Sequence, residues 1–83
     1  MSVANKAFDF VRYVLENICS DTDVLSVELK EDERGNLILV KASKADMGKI
    51  IGKGGNTVSS LRTLVTNISA RENIRVSLKV EEL

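Results

Sequence analysis

Between residues 46 and 62 the chain reads "DMGKIIGKGGNTVSSLR", with Gly52, Gly54 and Gly55 inside four positions, Lys53 among them and Lys49 one helical turn earlier. A glycine in a regular element costs about 1 kcal/mol relative to alanine. Three so close together call for a role that offsets the cost. Glycine lets backbone approach a ligand without Cβ interference, and amides at the start of a following helix favour an anion. With two lysines beside it, this segment has the chemistry to hold a phosphate. Two known phosphate-binding patterns do not fit. A P-loop needs G-x-x-x-x-G-K-[ST], whereas Gly48 has Gly52 four residues on and Lys53 is followed by Gly54. The dinucleotide fingerprint G-x-G-x-x-G fails because Thr57 stands where the third glycine belongs.

Other chemistry finds little support. The sequence has no histidine and a single cysteine, so Cys19 has neither an activating base nor an internal disulfide partner. Asp21, Asp23, Glu31, Asp32 and Glu33 lie in polar, turn-like segments where solvation is the default. No residues cluster with metal-ligand spacing. Neither catalysis, a metal nor a cofactor is expected.

Net charge is zero, but its distribution is uneven. Residues 1–40 hold four basic groups against eight acidic ones. Residues 41–62 hold Lys41, Lys44, Lys49, Lys53 and Arg62 against Asp46 alone. A positive field is therefore concentrated around the glycines, where it can attract an anionic ligand. Lys41 and Lys44 read more simply as solvated charges than as contacts, Met47 as core filler and Cys19 as a small buried residue.

The elements that must position this segment follow from periodicity. Val3, Ala4, Ala7, Phe8, Val11, Val14, Leu15 and Ile18 fall within an arc of about 140° at helical spacing, predicting an amphipathic helix over 3–18 with Phe10 and Tyr13 at or beyond the stripe's edge. Leu25, Val27 and Leu29 alternate with polar residues, as in a half-buried strand over 24–30. "DERGN" suggests a turn that uses Gly-Asn, and "LILVKA" predicts a more buried strand over 37–42, completing an antiparallel hairpin. Ser43 with Asp46 three residues on has capping-box spacing, which starts a short helix over 44–51 that Gly52 stops; Gly48 reads as an allowance for close packing of that helix. Val58, Leu61, Leu64, Val65 and Ile68 predict a longer helix over 56–70, and Ile74, Val76, Leu78 and Val80 a strand over 74–81. Two helices between this strand and residues 37–42 permit parallel pairing.

Helix, G-K-G-G, helix within the order α-β-β-α-α-β resembles the GXXG loop of a KH domain, which clamps the backbone of about four nucleotides. The Ile-Gly-x-x-Gly core corresponds to Ile51, Gly52, Lys53, Gly54 and Gly55. The order is that of the type II KH domain, and the resemblance covers the whole chain, most closely the small stand-alone bacterial KH proteins of the KhpA family. It implies an α+β fold, a three-stranded mixed sheet packed on one side by three helices, in a single domain over 1–83. It further implies a cytoplasmic, non-catalytic protein that binds single-stranded RNA and forms a homodimer, or a heterodimer with a larger KH-containing RNA-binding protein. An alternative is a KH-like interaction subunit whose partner provides most of the RNA binding. Carried over residue by residue, Gly52, Lys53, Gly54 and Gly55 lie against the sugar-phosphate backbone, with Lys53 on a phosphate and Lys49 as a second charge. Ile50 or Ile51 supplies the apolar floor, and the other the core. Asn56, Thr57 and Arg62 are further candidate contacts.

The bounds agree with that reading. At 83 residues a chain buries roughly 60–65% of its unfolded surface, enough for one thin core. Its 43% apolar and 29% charged residues suit a folded globule. No apolar run approaches the ~20 residues of a membrane helix, and the N-terminus does not read as a signal peptide.

Overall fold

Each apolar period in the sequence folds into one element, and together these elements build two layers. The computed structural model describes residues 3–83; the side chain of Val3, expected in the first helix's stripe, lies outside the described residues. The order is α1 (Val3–Ile18), β1 (Ser26–Asp32), β2 (Gly35–Ala42), α2 (Lys44–Ile51), a single 3₁₀ turn (Lys53–Gly55), α3 (Asn56–Ala70) and β3 (Val76–Glu82). The sheet runs β1-β2-β3, with β1 antiparallel to β2 and β3 parallel to it. The mixed sheet arises because a hairpin joins the first pair and a two-helix crossover the second.

Register sets the core. Leu29 opposes Ile38, and Val27 opposes Val40; on the other side Ile38 aligns with Leu78, and Val40 with Val80. These side chains meet Ala4, Ala7, Val11 and Leu15 of α1, Ile50 of α2, and Val58, Leu61 and Val65 of α3 in one cluster. Fully burying such an aliphatic side chain contributes about 1.5–3 kcal/mol, so β2, whose Ile38 and Val40 are wholly enclosed, is the strand around which the fold assembles. Leu39 faces away from that cluster, yet is also buried. It stands in register between Glu28 and Lys79 on the helix-free side, where their aliphatic stems flank it.

Three local details depart from expectation. The hairpin turn is Glu33–Arg34, not Gly-Asn: the Asp32 carboxylate accepts the Arg34 N–H at 2.7 Å and closes the turn through a side chain. Gly35 instead opens β2, where a β-carbon would stand 2.8 Å from the Arg75 carbonyl oxygen. Strand β3 begins at Val76, because Asn73 takes a left-handed φ of 57° and the Ile74 N–H returns to the Ser69 carbonyl, which ends α3 in a Schellman-like turn.

Candidate nucleic-acid interface

The α2–α3 link is built by glycine conformation. Gly52 caps α2 with its N–H on the Gly48 carbonyl and a φ of 76°. The Gly55 N–H then reaches back to the Gly52 carbonyl at 3.2 Å, and Gly54 and Gly55 have φ of 66° and 79°. Gly52 is also sterically required, since a β-carbon there would lie 2.8 Å from Thr57 Cβ and 2.9 Å from Thr57 N. Beside Gly54 and Gly55 there is open space. Helix α3 starts without a side-chain N-cap, so its positive end faces the link undiminished. Among the described residues the Lys53 ammonium, exposed at the loop tip, makes no hydrogen bond or ion pair.

The two isoleucines separate. Ile50 is wholly buried in the core, while Ile51 is 39% exposed. Ile51 lies on the same side of α2 as Lys44 and Gly48, at i, i+4 and i+7, and all three are exposed. A β-carbon at Gly48 would meet nothing within 4 Å, so the close packing expected of it within the chain does not occur. Its flat, exposed surface runs directly into the loop. The i, i+4, i+7 spacing of Lys44, Gly48 and Ile51 is the signal in the sequence for this face.

Lys49 lies elsewhere, about 200° around α2 from Ile51 at 100° per residue. Its ammonium donates to the Ser20 hydroxyl and stands 3.5 Å from Asp46 Oδ1. Asp46 is only 1% exposed. The Ser43 hydroxyl accepts the Asp46 N–H at 3.3 Å, as a capping residue should, but the reciprocal half of the expected capping box is missing. Instead the Asp46 carboxylate accepts the Ser20 N–H at 2.9 Å and the Asp21 N–H at 2.8 Å. These two amides, the first more than the second, hold its carboxyl below the usual aspartate range, with Lys49 assisting and burial opposing. Neighbouring Cys19 is pushed up, first by burial and then by the negative Asp46, with Lys49 opposing.

Asn56 and Thr57 begin α3, with Thr57 packed under Gly52. Both also line a shallow depression with Phe10, Val14, Leu61 and Leu64 between α1 and α3. Leu64 is 45% and Tyr13, on the same flank of α1, 70% exposed. Arg62 is on the opposite flank of α3, where its Nε donates to the Leu78 carbonyl at a long 3.4 Å. The structure thus brings Ile51, Gly52, Lys53, Gly54, Gly55 and Asn56 together, and sets Lys49, Ile50 and Arg62 apart from them.

A helix–GKGG–helix link over a mixed β1-β2-β3 sheet, in the order α-β-β-α-α-β, defines a type II KH domain. Residues 8–80 match the family described as KhpA/KhpB, KH domain. The RNA-binding protein KhpA of Chlamydia trachomatis serovar D is 37% identical over 76 residues, which cover 89% of this chain and 95% of that protein. The RNA-binding protein KhpA of Mycobacterium tuberculosis is 39% identical over 70 residues, 84% of this chain and 86% of that one. The chain belongs to the KhpA/KhpB KH-domain family.

Proposed function

We propose that this chain is a cytoplasmic, non-catalytic RNA-binding module that holds single-stranded RNA by its backbone at the GKGG loop. The observation that carries the reading is the loop itself: three glycines of positive φ, an unpaired Lys53 and an uncapped α3 N-terminus converge on one exposed point. That is the arrangement a phosphate needs. The name RNA-binding protein KhpA, carried by both relatives, supports the same ligand. Ile51 and the flat surface at Gly48 give unstacked bases an apolar seat, with Lys44 at its far end. Bases are read there by shape and by their exposed edges, while the loop fixes the strand's position.

Titrating a fluorescent single-stranded RNA pool at several salt concentrations tests this. Each phosphate neutralised on a single strand contributes a slope of about −0.7 in log K against log salt. One or two contacts predict a shallow slope of about −0.7 to −1.4 and weak binding by a single domain. Equal affinity for duplex RNA of the same composition would contradict the reading.

So few phosphate contacts make a second linked site valuable. The face of Phe10, Tyr13, Val14 and Leu64, rimmed by Asn17, Asn56, Thr57 and Ser60, supports a second copy as the partner. None of these eight residues is charged, in a chain where 29% of residues are; the exposed Lys6, one turn before Phe10 on α1, stands at its border. A two-fold interface sets each patch against itself, so a face whose centre is uncharged brings its own copy together there without repulsion. The same face suits the alternative reading, in which the chain is the interaction subunit of a complex with a larger KH-containing partner.

A further inference from the structure

Resting on that reading, we infer that Asp46 is a positioning residue of the RNA site: it withholds Lys49 from the RNA backbone and leaves Lys53 as the cation that counts. Five groups from four residues meet at this point. The Asp46 carboxylate takes the amides of Ser20 and Asp21, and Lys49 spans from that carboxylate to the Ser20 hydroxyl. The residues come from α2 and from the α1–β1 turn, some 25 positions apart in the chain. Asp46 therefore ties the turn to the first half of α2, about one and a half helical turns before the loop, and fixes the flank of α2 that Lys49 occupies.

The charge consequence follows from distance and burial. A carboxylate almost wholly out of solvent acts on its neighbours through a medium of lower effective dielectric than water, and the Lys49 ammonium is its nearest cation. For Lys49 to swing round α2 to a phosphate at the GKGG loop it must give up Asp46 and the Ser20 hydroxyl together, and leave a buried carboxylate without its counter-charge. Lys53 carries no such cost, since no group of the described residues holds it. The two lysines that flank the glycines in sequence are thus unequal: one is a latch, the other a ligand.

The salt dependence of RNA binding separates these roles, because a residue that only supports the fold changes affinity without changing the number of phosphates neutralised. In the wild-type protein, Lys49→Met is expected to leave the slope of log K against log salt unchanged. Asp46→Asn, which removes the carboxylate charge and keeps an oxygen for one amide, frees Lys49 and steepens the slope by up to one contact, about 0.7. Adding Lys49→Met to Asp46→Asn returns the slope to the wild-type value. A shallower slope for Lys49→Met alone, by a whole contact, overturns the inference, and so does an unchanged slope in Asp46→Asn. Should Asp46→Asn fail to fold by circular dichroism, Lys49→Met in the otherwise wild-type protein decides the matter: an unchanged slope is expected, and a slope shallower by a whole contact, about 0.7, overturns the inference. Wild-type protein that binds no RNA at any salt would overturn the RNA reading itself, an outcome distinct from wild-type binding with an altered Lys49→Met slope.

Discussion

Gly52 lies so close over the first turn of α3 that a β-carbon on it would come within 2.8 Å of Thr57 Cβ. The loop is thereby keyed to the helix that follows, and Gly52 and Gly54 have different duties. Gly52→Ala meets both a clash and a backbone of φ 76° and ψ 175° that side chains rarely adopt. It should cost about 2 kcal/mol or more. Gly54→Ala, at φ 66° and ψ 18° with open space around it, should cost about 1 kcal/mol. Urea denaturation of the two variants checks the order; equal losses would mean that Thr57 does not confine Gly52.

Ile50 and Ile51 should separate stability from binding. Ile50→Ala empties a fully enclosed site and is expected to lose about 2–5 kcal/mol. Ile51→Ala, on an exposed face, should stay within about 0.5 kcal/mol of wild type in stability. Its RNA affinity should fall roughly fivefold, from the loss of about 1 kcal/mol of apolar contact. The sequence shows two adjacent apolar residues on a short helix and no more. Which one turns inward depends on how α2 sits against the rest of the fold, and helical spacing alone carries no such information.

The depressed carboxyl of Asp46 gives stability a defined acid limit. Its folded value lies below its unfolded one, near 3.9, because the Ser20 and Asp21 amides and the Lys49 charge favour the ionised form. The stability this contributes is fully present above the unfolded value and is lost as pH falls through the folded value. The gap in urea midpoint between wild type and Asp46→Asn should be widest near neutrality and narrow below about pH 4. A gap that does not change with pH would show that the carboxylate is not held ionised by these partners.

Leu64→Lys tests the α1–α3 face. A charge placed on both halves of a two-fold contact repels itself, and losing a central anchor of about 2 kcal/mol or more weakens association by roughly thirtyfold or greater. Sedimentation equilibrium should show a dimer for wild type and a monomer for the variant, with unchanged circular dichroism. A variant that still dimerises would move the interface elsewhere.

These predictions also mark where the sequence is legible. Helix α1, the alternation of β1 and β3 and the span of α3 follow from period, and the ends of α2 from capping at Ser43 and Gly52, because each is decided by neighbours a few residues apart. The hairpin turn is not legible, since "ERGN" offers Gly-Asn for the bend while the Asp32 side chain closes it two residues earlier, at Glu33–Arg34. Asp46 reads as half of a capping box. Its partners at Ser20 and Asp21 lie 26 and 25 residues away, beyond any local pattern. Lys49 and Lys53 look alike in sequence for the same reason, and Gly48 suggests packing although its surface meets nothing within the chain.

The claim that the GKGG loop holds the RNA backbone is tested most directly by RNA binding of a Lys53→Asp, Gly54→Asp double variant whose fold is verified by circular dichroism. The variant sets two carboxylates where a phosphate should lie, leaves Gly52 and Gly55 intact, and places the new side chain of residue 54 in open space. The folded variant is expected to bind single-stranded RNA at least about tenfold more weakly than wild type, a change of about 1.4 kcal/mol, with the difference shrinking as salt is raised. Equal affinity of the folded variant and wild type at low salt would contradict the claim.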